Sequence, residues 1–179
     1  PPDRRARSRG IREGQFQVLP LLNTDRARRG MAWGDLNGDG LADLLVAEPE
    51  SGQLTFYQQQ PDGSLAPPRS FPALAGISEI AVADWDKDGR AEVFLLSPDE
   101  KQIGVTRLDH NGRLPFPTLI PVDGKPLAMA VGSMQAGVKP ALAILADKDG
   151  ARTLVLRNAD GSTRSQNLSK SFKANPSAL

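Results

Sequence analysis

Two short stretches of the sequence place side-chain oxygens at alternate positions. Residues 35–43 read DLNGDGLAD and residues 84–92 read DWDKDGRAE. Alternating oxygens in a tight loop turn toward one point, and a hard cation there takes about six to eight oxygen ligands. Backbone carbonyls at position seven and water would complete the shell. An all-oxygen set favours Ca²⁺ over zinc or copper. We therefore predict two calcium sites, with the ligands Asp35, Asn37, Asp39, Leu41 and Asp43 in the first, and Asp84, Asp86, Asp88, Arg90 and Glu92 in the second.

The spacing separates these loops from an EF-hand. Gly40 and Gly89 stand at position six, where an EF-hand loop also has a glycine for its sharp turn. The last acid, however, falls at position nine and not at position twelve, and the flanking residues suit strands and not helices. An EF-hand is therefore rejected. The alternative is a pair of solvated turns whose Asp and Asn side chains bond only their own backbone.

The two loops belong to a longer repeat. They lie 49 residues apart, and a second marker keeps this offset: Asp62-Gly63, Asn111-Gly112 and Asp160-Gly161. Each unit also contains short apolar runs bounded by turn residues, which favours strands. The fourth run contains proline, which fits an edge strand. Four antiparallel strands in about 49 residues match the blade of a β-propeller, whereas a sandwich of short strands would not need a fixed period.

These units define the predicted organisation. We expect an all-β chain with about three blades, near residues 31–74, 79–122 and 128–165, and one extra strand at 14–22. A basic arm (1–13) precedes the repeats (14–165), and a polar tail (166–179) follows them. Because closed propellers have about four to eight blades, we expect a partial propeller or one that a partner completes. The chain starts at Pro1 without a leader, so we expect it to be processed or truncated, its targeting signal missing.

The third unit lacks the acidic pattern. Ungapped alignment places no carboxylate at its five ligand positions, and Val138 replaces the turn glycine; the positions are Ser133, Gln135, Gly137, Lys139 and Ala141. We predict no metal site there. Residues 147–150 read DKDG, but they lie in the next hairpin and lack the final acid, so we interpret them as a turn.

The residues 35–43 followed by Leu-Leu-Val resemble the FG-GAP or VCBS repeat. That family builds the calcium-binding propellers of integrin α subunits and of many secreted bacterial proteins. The resemblance implies a propeller, usually of seven blades, with calcium on the loop between the first two strands of a blade. It also implies an extracellular, periplasmic or cell-surface location. The side chains at positions one, three, five and nine of both loops are the ligands it implies.

Composition narrows the functional classes. The chain has no cysteine, which excludes a disulfide, a thiolate zinc site and a cysteine nucleophile, and its one histidine, His110, lies in an Asp-His-Asn-Gly turn. No apolar run is long enough for a transmembrane segment. The first thirty residues carry eight arginines against three acidic residues. This basic stretch could contact an acidic surface, an anionic membrane or nucleic acid, but it has no interleaved aromatic residues, and no nucleic acid is expected.

Three functions stay open at this stage. We expect a non-catalytic, calcium-stabilised module that makes protein–protein contacts, as a surface or periplasmic protein or as an accessory subunit of a larger assembly. The first alternative is a lectin-like propeller that binds carbohydrate. The second is a fragment of a polysaccharide-active enzyme. Trp33, Trp85 and Tyr57 are the aromatic residues besides six phenylalanines, and Trp85 is expected to pack in the core.

Overall fold

The computed structural model describes residues 30–133 and 138–168. The predicted basic arm, the extra strand at 14–22 and the end of the tail lie outside these residues. The described part contains twelve β-strands in three antiparallel sheets of four strands each. It contains no helix long and apolar enough to cross a membrane.

In each sheet the four strands lie side by side in the order in which they follow one another along the chain. The first sheet contains β1 (Met31–Gly34), β2 (Asp43–Glu48), β3 (Gln53–Tyr57) and β4 (Arg69–Pro72). The second contains β5 (Glu79–Ala83), β6 (Glu92–Ser97), β7 (Gln102–Arg107) and β8 (Thr118–Ile120). The third contains β9 (Lys125–Gly132), β10 (Ala141–Lys148), β11 (Ala151–Arg157) and β12 (Thr163–Asn167).

The sheets pack one on the next through their first strands and their faces. Strand β5 contacts both β1 and β9, so the first strands of the three sheets lie side by side. Gly34 fits this close approach, because a Cβ atom there would collide with the side chain of Val82. Successive four-stranded sheets, each a meander that starts at the shared side, are propeller-type blades. The all-β, three-blade prediction is confirmed for the described residues.

The middle blade is buried on both faces. Side chains alternate across a strand, so successive residues of β6 face opposite neighbours. Val93 and Leu95 pack with the first blade, in a cluster that includes Leu45 and Phe56. Phe94 and Leu96 pack with the third blade, in a second cluster whose other buried members are Ile103, Ile120, Met129, Leu142 and Ile144. A near-continuous apolar strand is therefore explained by burial between two sheets.

The outer strands are shorter than the sequence predicted. The proline-containing fourth runs, at 65–74 and 114–122, predict one strand each, but the strands extend only over Arg69–Pro72 and Thr118–Ile120, and Leu65 adds an isolated bridge to Gln59. Proline lacks the N–H that a ladder needs, and these runs are proline-rich. The last strand, β12, is exposed along its whole length.

Candidate metal site

Both acidic loops connect the first and second strands of a blade. The first joins β1 to β2 and the second joins β5 to β6, so position nine of each loop is also the first residue of the second strand. The glycine at position six has a positive φ in each loop, 84° at Gly40 and 89° at Gly89. That backbone region suits glycine, which explains the residue type at this position.

In the first loop, carboxylate and amide oxygens accept hydrogen bonds from the loop backbone. Asp35 accepts bonds from the N–H groups of Gly38 (2.7 Å) and Gly40 (2.8 Å). Asp39 accepts a bond from the N–H of Leu41 (2.8 Å) and another from the Asn37 amide (2.7 Å). The side chains at positions one, three and five are thus linked to one another by a shared backbone turn.

Asp43 fixes the base of the first loop. Its carboxylate is fully buried and accepts bonds from the backbone N–H of Leu36 (3.2 Å) and of Gln59 (2.9 Å). Burial raises the pKa of Asp43, against the lowering effect of these two hydrogen bonds. The carboxylate therefore ties the loop to Gln59, two residues after the end of β3, a contact that the sequence pattern did not reveal.

The second loop brings three carboxylates together. Oxygens of Asp84, Asp86 and Asp88 all lie within 4.8 Å of one another. Asp84 accepts bonds from the N–H groups of Asp88 and Gly89, each at 3.0 Å, and Asp88 accepts one from Arg90 (3.0 Å). Such a group of oxygens can hold a hard cation.

Glu92 plays the part in the second loop that Asp43 plays in the first. Its Oε2 atom accepts a bond from the backbone N–H of Trp85 (2.8 Å), at the same loop position as Leu36. Desolvation raises the pKa of the Glu92 carboxyl. The group of mutually close oxygens contains the three aspartates and does not include Glu92. The longer side chain preserves the contact with position two.

Arg107 is the residue that sequence reasoning missed. Its guanidinium contacts Asp88 (2.7 Å), Glu92 (3.2 Å) and Asp86 (3.6 Å). This hydrogen-bonded guanidinium lowers the pKa of Asp88. Arg107 lies opposite Glu92 in the pairing of β6 with β7, so the register of that hairpin was the available signal.

The remaining residues that the sequence singled out add no further carboxylate to either loop. Leu41 and Arg90 lie at position seven of their loops, and the Arg90 side chain donates to the carbonyl of Leu108 at 2.6 Å. In the third unit, Gln135 and Gly137 lie outside the described residues, while Ser133 donates to the carbonyl of Val138 (2.8 Å). In the 147–150 segment, which was predicted to be a turn, Asp149 and Gly150 form the turn between β10 and β11, whereas Asp147 and Lys148 are the last residues of β10. Trp85 packs on the second core cluster, also as predicted.

The fold and the loops define a repeat protein of propeller-type blades with acidic loops between first and second strands. The model of the FG-GAP-like repeat matches residues 35–95, which contain both loops, strands β2 to β5 and most of β6. This match confirms the resemblance to FG-GAP repeats for that part of the chain.

A solved structure also resembles the chain. It is the crystal structure of a protein from Lactobacillus plantarum, with a TM-score of 0.49 and 19% sequence identity. The similarity covers 76% of this chain and 40% of that protein. The chain thus spans less than half the length of that protein.

Proposed function

We propose that the chain is a non-catalytic, calcium-stabilised interaction module. The observation that carries the calcium part is the convergence of Asp84, Asp86 and Asp88 within 4.8 Å, on a loop whose counterpart has the same oxygen spacing. Like charges at this distance repel, so a divalent cation would relieve a cost that the folded loop otherwise carries. The ligands proposed are the side chains at positions one, three and five with the carbonyls of Leu41 and Arg90, while Asp43 and Glu92 at position nine hold the base of each loop.

The proposed calcium binding also supports a location outside the cytosol. Extracellular calcium modules bind at about 10⁻⁴–10⁻³ M, which matches calcium outside cells. At a dissociation constant near 10⁻⁴ M and millimolar calcium, each ion would stabilise the fold by about 1.4 kcal/mol. We accordingly place the protein at the cell surface, in the periplasm or in the extracellular space.

The proposed interaction rests on an exposed apolar patch on β1. Met31 and Trp33 lie two residues apart on β1, and each is 55% exposed. Residues two apart share a face of a strand, so these side chains form one apolar patch on the first blade. Patches of this kind mark protein-binding surfaces. The partner we propose is another protein or a larger assembly that covers this patch.

A carbohydrate is the second candidate ligand. An open pocket of about 420 Å³ is lined by Trp85, Phe116, Arg107 and Asp86, among other residues. Aromatic faces beside charged groups suit a sugar. Binding on a glycan array that is lost in Phe116→Ala would favour this candidate over a protein partner. An enzyme would instead show turnover that His110→Ala abolishes.

Native mass spectrometry of the protein from its natural source tests the proposal. It reads bound metal and bound partners together. A chain that carries calcium inside a larger assembly supports both parts. A metal-free monomer contradicts both the calcium part and the interaction part of the proposal. The acidic loops would then be ordinary turns, and the apolar patch would have no partner.

A further inference from the structure

The two acidic loops differ in the residue that faces their base. Continuing the pairing of Leu44 with Tyr57 by one residue places Gln58 opposite Asp43. In the second blade the residue opposite Glu92 is Arg107. The position opposite the base of the first loop is therefore occupied by a neutral residue, and the corresponding position in the second blade by an arginine.

Arg107 contacts the same carboxylates that a metal ion would use. One nitrogen reaches Asp88 at 2.7 Å, and the other reaches Glu92 at 3.2 Å and Asp86 at 3.6 Å. In the first loop, the Oδ2 atom of Asp39 accepts a neutral amide bond from Asn37, and among the described residues it accepts no bond from a cationic side chain. The second loop thus holds a resident positive charge where the first has a neutral partner.

A second cation approaches the same loop from the neighbouring blade. Lys139 donates from Nζ to the backbone carbonyl of Asp86 at 2.8 Å. Lys139 stands at position seven of the third unit, which has no carboxylate at its ligand positions. Two cationic side chains therefore contact the second loop, Arg107 from its own blade and Lys139 from the third unit.

We propose that Arg107 is a built-in counter-cation that competes with calcium at the second loop. This inference rests on the proposed calcium function. A divalent ion at the three aspartates must either displace the guanidinium or remain close to its charge, and both cost free energy. The first loop consequently fills at lower calcium concentration than the second, and the second loop stays ordered without metal.

The test is a calcium titration of the full chain in the Asp39→Ala background, which leaves the second loop as the reporting site. The amide resonance of Gly89, followed by NMR, reports binding there. Arg107→Gln installs the residue that the first blade has at this place. We expect calcium affinity at the second loop to rise by about tenfold. Removing a unit positive charge that lies close to a divalent ion at the surface lowers the binding free energy by about the 1.4 kcal/mol that this factor corresponds to.

Controls separate charge from structure. Lys148→Gln removes the same charge from a surface pair with Asp123 at 2.8 Å in the third blade, and should leave the affinity unchanged. Arg107→Lys keeps the charge with fewer donors and should give an intermediate affinity. In chelator, Arg107→Gln should melt below the parent protein and then gain more from calcium. Should Arg107→Gln destabilise the fold, Arg107→Lys still decides the question.

The outcomes distinguish this inference from the proposed function. An unchanged or weaker affinity in Arg107→Gln overturns the competition. Binding at the first loop of the unmodified chain, with none at the second loop in Arg107→Gln, overturns it as well and leaves calcium binding intact. An unmodified chain and variants that all fail to bind calcium overturn both proposals.

Discussion

The buried carboxylate of Asp43 gives the sharpest prediction for stability. Asp43→Ala removes the acceptor for two backbone N–H groups, those of Leu36 and Gln59. Leu36 is 1% exposed, so water does not readily replace the lost bond there. An unsatisfied buried donor costs about 1–3 kcal/mol. Two such donors would cost about 2–6 kcal/mol, and the variant recovers part of this cost because it no longer buries a carboxylate, so we expect the free energy of unfolding to fall by about 2–4 kcal/mol.

The assay is urea denaturation in chelator, so that metal plays no part. With a slope of about 2 kcal/mol per molar urea, the midpoint should fall by about 1–2 M. Asp109→Ala is the matched control, because that carboxylate also accepts two backbone N–H bonds, both of them in an exposed turn. A midpoint shift for Asp43→Ala no larger than that for Asp109→Ala would refute the reasoning.

Three further predictions use other parts of the molecule. Chelation should lower the melting temperature by about 3–6 °C for each calcium lost, and Asp39→Ala should remove the first-loop share; an unchanged melt would contradict the calcium proposal. Phe94→Ala, at a fully buried site between blades, should cost about 3–5 kcal/mol in urea denaturation, whereas Phe116→Ala, at a site 60% exposed, should stay within about 0.5 kcal/mol. The backbone N–H of Arg113 lowers the pKa of Asp109 from its usual 3.8. The charged Asp109 carboxylate therefore stabilises the fold above the usual pKa of 3.8, and this stabilisation is lost as the pH falls through the lower pKa of the folded state. Asp109→Asn should flatten the decline of the urea midpoint below about pH 4, and an unaltered decline would contradict this assignment.

The repeat made the strands readable from the sequence. Apolar runs at 44–47 and 93–96 lie within β2 and β6, and both acidic loops connect the strands that the pattern indicated. Glycine at position six was predicted to permit a sharp turn, and both glycines have a positive φ. These features depend on local residue order, which a period of 49 residues repeats and thereby reinforces.

Contacts between distant residues were less accessible. The bond from Gln59 to Asp43 joins residues sixteen apart, and the ion pairs of Arg107 depend on the register between β6 and β7. A one-residue slip would place Arg107 on the opposite face of the sheet. The alternating oxygens therefore predicted the acidic loops, whereas the guanidinium beside the second loop required the structure.

Calcium binding at the two loops is the central claim, and an NMR titration of the full chain tests it most directly. Calcium is added to chelator-stripped protein while the amide resonances of Gly40 and Gly89 are followed, with magnesium as the control ion. The account predicts saturable shifts at both glycines, those of Gly40 at lower calcium concentration. Resonances that stay unchanged at millimolar calcium, or that respond equally to magnesium, would contradict it.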